Sequence, residues 1–299
     1  MFNVKTAKGI SEFFYSLDIL CRKDLSFSMI ASENDYVSRL ITHIRFPFGP
    51  FKKGFGRFFT RVLRKGEEKL LGCDSIVVFK YQNQLKVGLF EAKWPRRTLK
   101  RYHPWDDFQK GKTAPGVSRK SHFSSQIHRQ FVWSKSAAVW EMFLYESPLY
   151  TYKTPYDKLG SSCVWNSVAY NFLSAYPALE TRRWGRKDLD KLLESRPRSP
   201  KCRRYGNNLR DIIYKIIKCD VGQKIDIENN QNSFMLSGYN DMTINIPIPC
   251  KNSQIDGTNN KFNDENNECI LTFMEGNGIC NYIFIDIEEF LEFYPEYME

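Results

Sequence analysis

The sequence predicts a mixed α/β protein in which helices cover both faces of a sheet, and two observations carry that expectation. First, residues 72–94 contain two arms rich in β-branched and aromatic residues around one polar break, Gln82-Asn83-Gln84, which is the pattern of a hairpin. One face of that hairpin carries Ile76, Val78, Leu85, Val87 and Leu89, and the other Val77, Phe79, Tyr81, Phe90, Ala92 and Trp94, so neither side suits water. Second, the preceding chain shows apolar residues at helix spacing: Ile10, Phe13, Phe14, Leu17 and Leu20 within residues 1–30, then Val37, Leu40, Ile41 and Ile44 after the capping residue Ser32. With 299 residues, 42% of them hydrophobic, the chain is long enough to bury a sizeable core.

The hairpin brings ionisable groups to the end of an apolar surface. If Gln82 and Asn83 form the loop, Asp74 faces Glu91; if Asn83 and Gln84 form it, Asp74 faces Lys93. Side chains alternate with a period of two, so either register places Asp74, Glu91 and Lys93 on one face. Two carboxylates held together repel, and a divalent cation removes the repulsion. Hard oxygen ligands of this kind suit Mg²⁺ or Mn²⁺, and a neighbouring lysine can orient a water for attack on phosphorus. The plainer alternative is an ion-paired sheet rim in which Lys93 neutralises Glu91.

Asp74 followed at strand distance by Glu91-Ala92-Lys93 resembles the motif of the PD-(D/E)XK nuclease superfamily. Cys73 stands where the name-giving pattern has proline. The resemblance implies a restriction-endonuclease-like mixed sheet flanked by helices and Mg²⁺-dependent hydrolysis of phosphodiester bonds in DNA. Asp74 and Glu91 would be the metal ligands and Lys93 the residue serving the attacking water. Two further residues take candidate roles from it. Glu33 lies on the apolar stripe of its helix with Val37, Leu40 and Ile44, where the superfamily often brings a helix glutamate to the metal; a carboxylate in a first turn can equally serve the helix dipole. Gln126 matches the first residue of a Gln-x-x-x-Tyr pattern found in some branches, with Gln130 in place of the tyrosine.

Charge divides the chain. Residues 1–218 hold 41 Lys and Arg against 19 Asp and Glu, a balance of +22, whereas residues 219–299 hold 3 against 15, a balance of −12. A basic surface of that size suits phosphate backbones through counterion release. Arg96, Arg97, Lys100 and Arg101 follow directly on Lys93, which makes them the expected contacts to the substrate backbone. The phenylalanines and cations of residues 45–69 suit base stacking or, alternatively, a loop that plugs the core.

These features divide the chain into a nuclease-like core at 1–150, a basic helical segment at 151–218 and an acidic α+β C-terminal extension at 219–299 that offers a docking surface for a protein partner. Strands are expected at 137–145, 242–248, 269–274 and 280–286, and helices from 124, over 161–176 and over 287–294. None of the eight cysteines forms a C-x-x-C, so zinc is not expected, and Cys163 has no downstream histidine to make it a protease nucleophile. No segment has the length and apolarity of a membrane span, and no signal-peptide core opens the chain, so a cytoplasmic location is expected. The rival functional class is a binding or effector protein that keeps such a fold without catalysis.

Overall fold

A computed structural model describes residues 3–47, 53–62, 71–95, 104–109, 119–144, 160–194, 207–228, 231–249 and 264–298. The elements in chain order are α1 (Val4–Ser26), α2 (Glu33–Arg45), β1 (Arg57–Thr60), β2 (Ser75–Tyr81), β3 (Gln84–Lys93), α3 (His122–Phe131), β4 (Ala138–Phe143), β5 (Ser162–Trp165) and α4 (Asn166–Ala175). They continue as α5 (Arg186–Glu194), α6 (Leu209–Ile217), β6 (Ile225–Asp226), β7 (Ser233–Ser237), β8 (Thr243–Pro247), α7 (Asp264–Asn277), β9 (Asn281–Asp286) and α8 (Ile287–Phe293).

The hairpin is the centre of the sheet. Its loop is Gln82-Asn83, with Ser75 paired to Phe90 and Tyr81 to Gln84. Gln82 takes a left-handed φ of 52°, the backbone sense that suits the twist of a two-residue hairpin. Among the described residues, the sheet runs β1-β9-β2-β3-β4-β5, and β6 pairs with the first residues of β3. Its pairings are mixed: β2–β3 and β4–β5 are antiparallel, β2–β9 and β3–β4 parallel. A parallel step between β3 and β4 needs a crossover, and α3 lies on that connection.

Both faces are covered, as the two apolar faces of the hairpin require. On one side α1, α2, α6 and α8 bring Phe13, Leu40, Ile213 and Phe290 into the core that includes Val77, Phe79, Phe90 and Trp140. On the other, α7 and the hairpin β7-β8 cover Ile76, Val78, Val87 and Leu89, while α3, α4 and α5 gather near Phe143 and Val164. Phe55 is buried with its ring 4.8 Å from Phe13 and 5.1 Å from Phe290, so at this position the aromatic segment plugs the core.

Several expected elements differ. Residues 269–274 belong to α7, where Ile270, Phe273 and Met274 are buried at helix spacing. The expected helix over 161–176 is a strand followed by a helix. Ser162–Trp165 pairs with β4 as β5, because Cys163, Val164 and Trp165 bury side chains on both faces, and α4 starts only at Asn166. Cys163 is therefore a buried strand thiol. The acidic last third supplies β9, an interior strand between β1 and β2, so residues 281–286 are part of the same sheet as the hairpin. No described helix is long and apolar enough to cross a membrane.

Candidate functional site

The site lies where β3 and β4 end. Leu144 just past β4 donates its N–H to the Lys93 carbonyl at 2.8 Å, and the Arg22 guanidinium of α1 donates to the Leu144 carbonyl. Asp18, one turn earlier on α1, accepts from the Tyr36 hydroxyl at 2.6 Å and the Ser161 hydroxyl at 2.7 Å. Burial raises the pKa of Asp18 above the ordinary carboxylate value even though these hydrogen bonds oppose the rise. This network ties α1, α2 and the start of β5 to the strand ends that carry the ionisable groups.

Glu91 is 1% exposed, on the face opposite Phe90 and Ala92. Its Oε1 accepts from Lys93 Nζ at 2.7 Å and from Gln126 Nε2 of α3 at 2.9 Å. Glu33 begins α2 behind its N-cap Ser32, and its Oε1 accepts the Trp94 N–H at 3.0 Å, fixing the direction in which the chain leaves β3. The β2–β3 ladder ends at Ser75–Phe90, so Asp74 precedes it by one residue and Glu91 follows it by one. Asp74 is buried, its carbonyl accepts the N–H groups of Cys280 and Asn281 at 2.7 and 3.1 Å, and its Oδ1 lies 3.9 Å from the Cys280 thiol. Among the sequence candidates, Glu91, Lys93 and Gln126 are thus joined by hydrogen bonds and Glu33 lies beside them. Asp74 lies one residue before the β2–β3 ladder, and Arg96, Arg97, Lys100 and Arg101 lie outside the described residues.

Lys93 is an ammonium held among carboxylates. Burial, the largest single influence, would lower its pKa, but the charge and hydrogen bond of Glu91 together with the charges of Glu33 and Glu141 turn the net direction upward. A lysine raised in this way remains protonated at neutral pH. It can orient a water or neutralise developing negative charge, and it is a poor base.

The residue that sequence reasoning missed is Glu141. In the parallel register of β3 and β4 it sits beside Glu91, fully buried. Desolvation first, and then the Glu91 charge, push its pKa to about 8, while Lys93 and the nearby amides of Asn166 and Gln130 oppose the rise. Neither amide completes a hydrogen bond of ordinary geometry to a Glu141 oxygen, and the Gln126 Oε1 is buried without one as well. A signal existed: Glu141 is the single charge in the apolar run Ala138–Phe143. Its meaning depended on the neighbouring strand.

The buried oxygens of Gln126 and Glu141 make no hydrogen bond of ordinary geometry, and hard oxygen donors are the type that suits a small divalent cation or a polar ligand. A cation approaching Glu91 competes with Lys93 and Gln126 for Oε1. Among the described residues no three His, Cys, Asp or Glu side chains converge as a ready-made metal cage. An ion here would therefore rely on two carboxylates, with the rest of its shell from water and substrate, as Mg²⁺ commonly does.

Fold and site define a mixed α/β protein with a buried carboxylate–lysine cluster at the end of its central strands. In comparisons with protein families, curated proteins and solved structures, nothing matches the chain.

Proposed function

We propose that the chain is a divalent-metal-dependent nuclease that hydrolyses phosphodiester bonds of DNA, with Asp74 and Glu91 as the residues that hold Mg²⁺ or Mn²⁺. The observation that carries this reading is the hydrogen-bonded set Glu91, Lys93 and Gln126 at the end of β3, with Asp74 one residue before the start of the paired strand β2. The order α2, β2-β3 hairpin, α3, β4 around a mixed sheet agrees with a restriction-endonuclease-like core. The basic balance of residues 1–218 suits a polyanionic substrate.

When bound, the cation supplies Lewis-acid neutralisation of charge on the phosphate. The protein's own groups do the rest. Lys93 and Gln126 hold the Glu91 carboxylate in one orientation through Oε1, the oxygen for which a cation would compete with them. Lys93, protonated and 2.7 Å from Glu91, presents its remaining N–H donors to a water or a phosphoryl oxygen. Glu33 keeps the chain beyond Lys93 in one direction through the Trp94 N–H.

Supercoiled plasmid tests the reading. The wild type is expected to nick or cut it with Mg²⁺ or Mn²⁺ and to be silent with EDTA, and Asp74→Asn is expected to lose at least about 10²-fold of the rate. Equal cleavage by wild type and Asp74→Asn would remove the site assignment. The closeness of the Lys93–Glu91 pair favours a second reading, a non-catalytic binding protein whose site is an ion-paired rim. DNA binding that persists in Mg²⁺ and Mn²⁺ without any cleavage would select it.

A further inference from the structure

We propose that Gln130 and Asn166 are positioning residues for Asp74, so that α3 acts as a clamp setting the two acidic strands against each other; the inference rests on the metal-hydrolase reading. Gln126 and Gln130 lie one turn apart on α3, and both are fully buried. The first donates Nε2 to Glu91 Oε1 at 2.9 Å. The second donates Nε2 to the Gly72 carbonyl, also at 2.9 Å, two residues before Asp74. One helix face therefore grips the glutamate strand directly and the aspartate strand through its lead-in.

The Gln130 amide has one workable orientation. Its Oε1 accepts from Asn166 Nδ2 at 2.8 Å, and Asn166 is itself anchored by donating to the Ile127 carbonyl at 3.2 Å. Rotating the Gln130 amide by half a turn would set donor against donor at Asn166 and acceptor against acceptor at Gly72. Asn166 thus decides which end of Gln130 faces Gly72.

The grip matters because the ladder between the hairpin strands begins at Ser75 and leaves Asp74 outside it. Gly72 has a φ of +69°, a conformation natural to glycine, and a Cβ there would lie 3.0 Å from Arg129 Cβ and 3.2 Å from Gln130 Cγ. The helix rests directly on this backbone. The Asp74 carbonyl is held by the Cys280 and Asn281 N–H groups. These contacts together hold the approach to Asp74, and Gln130 supplies the one that comes from the helix also holding Glu91.

The test compares wild type, Gln130→Met, Asn166→Ala and the double variant, using Mn²⁺ binding by electron paramagnetic resonance, amide hydrogen exchange and thermal melting. Gln130→Met is expected to weaken Mn²⁺ binding roughly 10-fold, as loss of a partner behind the ligands does, and to speed exchange over residues 72–75 while the melting temperature moves little. Asn166→Ala is expected to weaken Mn²⁺ binding less, and the double variant to bind no more weakly than Gln130→Met, because both act along one chain. Unchanged exchange over 72–75 in a protein that binds Mn²⁺ would overturn the clamp alone. Faster exchange with unaltered Mn²⁺ affinity would show that the clamp holds the backbone and not the carboxylate, which also overturns the proposal. No Mn²⁺ binding by the wild type would overturn the hydrolase reading, and the positioning role with it.

Discussion

Lys93→Met is expected to lower the rate of Mg²⁺-dependent DNA cleavage about 10²- to 10³-fold, the range for removing one preorganised electrostatic contact in an active site. The same substitution carries a stability cost with a recognisable signature. Lys93 neutralises Glu91 at 2.7 Å inside the protein and is also attracted by Glu33 and Glu141. Removing the cation leaves Glu91 buried beside Glu141 with no compensating charge from that lysine, and breaking a buried pair from one side costs roughly 3–5 kcal/mol. Removing both charges is less harmful than removing one. Urea denaturation at pH 7 should accordingly find Lys93→Met less stable than the double variant Lys93→Met/Glu91→Gln. If the single variant is the more stable, the two side chains do not form the pair that the geometry describes; if it cleaves at the wild-type rate, Lys93 has no part in the reaction.

The second large effect is in pH dependence. Glu141→Gln is expected to stabilise the protein in alkaline solution, and the gain should grow between pH 5 and pH 9. Burial and the adjacent Glu91 raise the folded-state pKa of Glu141 from 4.5 to about 8. A group whose folded pKa is raised contributes stability that is fully present below its unfolded pKa and is lost as pH rises through the folded one. Wild type therefore loses this contribution between roughly pH 4.5 and pH 8. Glutamine has nearly the same shape and no proton to lose. Since one pKa unit corresponds to about 1.4 kcal/mol, the difference between the two proteins should change by at least about 2 kcal/mol over this window. Urea midpoints at several pH values measure it. Parallel stability curves would mean that Glu141 titrates as an ordinary solvated carboxylate, and its place beside Glu91 would have to be given up.

What the sequence revealed and what it hid follow from the range of the interactions. The strand period of two predicts Asp74, Glu91 and Lys93 on one face for either choice of loop residues. The structure selects Gln82-Asn83 as the loop, and its ladder ends at Ser75–Phe90, one residue short of Asp74 and Glu91. Ser32 and the stripe that includes Glu33 were legible for a similar reason, since capping and helix spacing are local. Only the resemblance suggested that Gln126 contacts the site or substrate, and the structure shows it donating a hydrogen bond to Glu91.

Pairings between distant segments were not legible. β9 joins β2 across about two hundred residues, and nothing in the run 281–286 names its neighbour. Glu141 was visible as a charge in an apolar strand, but its role depends on the parallel register that sets it against Glu91. Residues 269–274 read as a strand because they form a short run before the turn Glu275-Gly276-Asn277-Gly278; burial of Phe273 and Met274 together with Ile270 shows that the period of 3.6 prevails. Short apolar runs allow both readings, and packing decides between them.

The central claim is that the turn between β2 and β3 brings Asp74 and Glu91 together around one divalent cation. Crystals soaked in Mn²⁺ and measured at its absorption edge test this most directly. An anomalous peak within ligand distance of both carboxylates, absent in Asp74→Asn, is the predicted result. A protein that stays free of Mn²⁺ at this position, or that binds it without Asp74 and Glu91, would contradict the account.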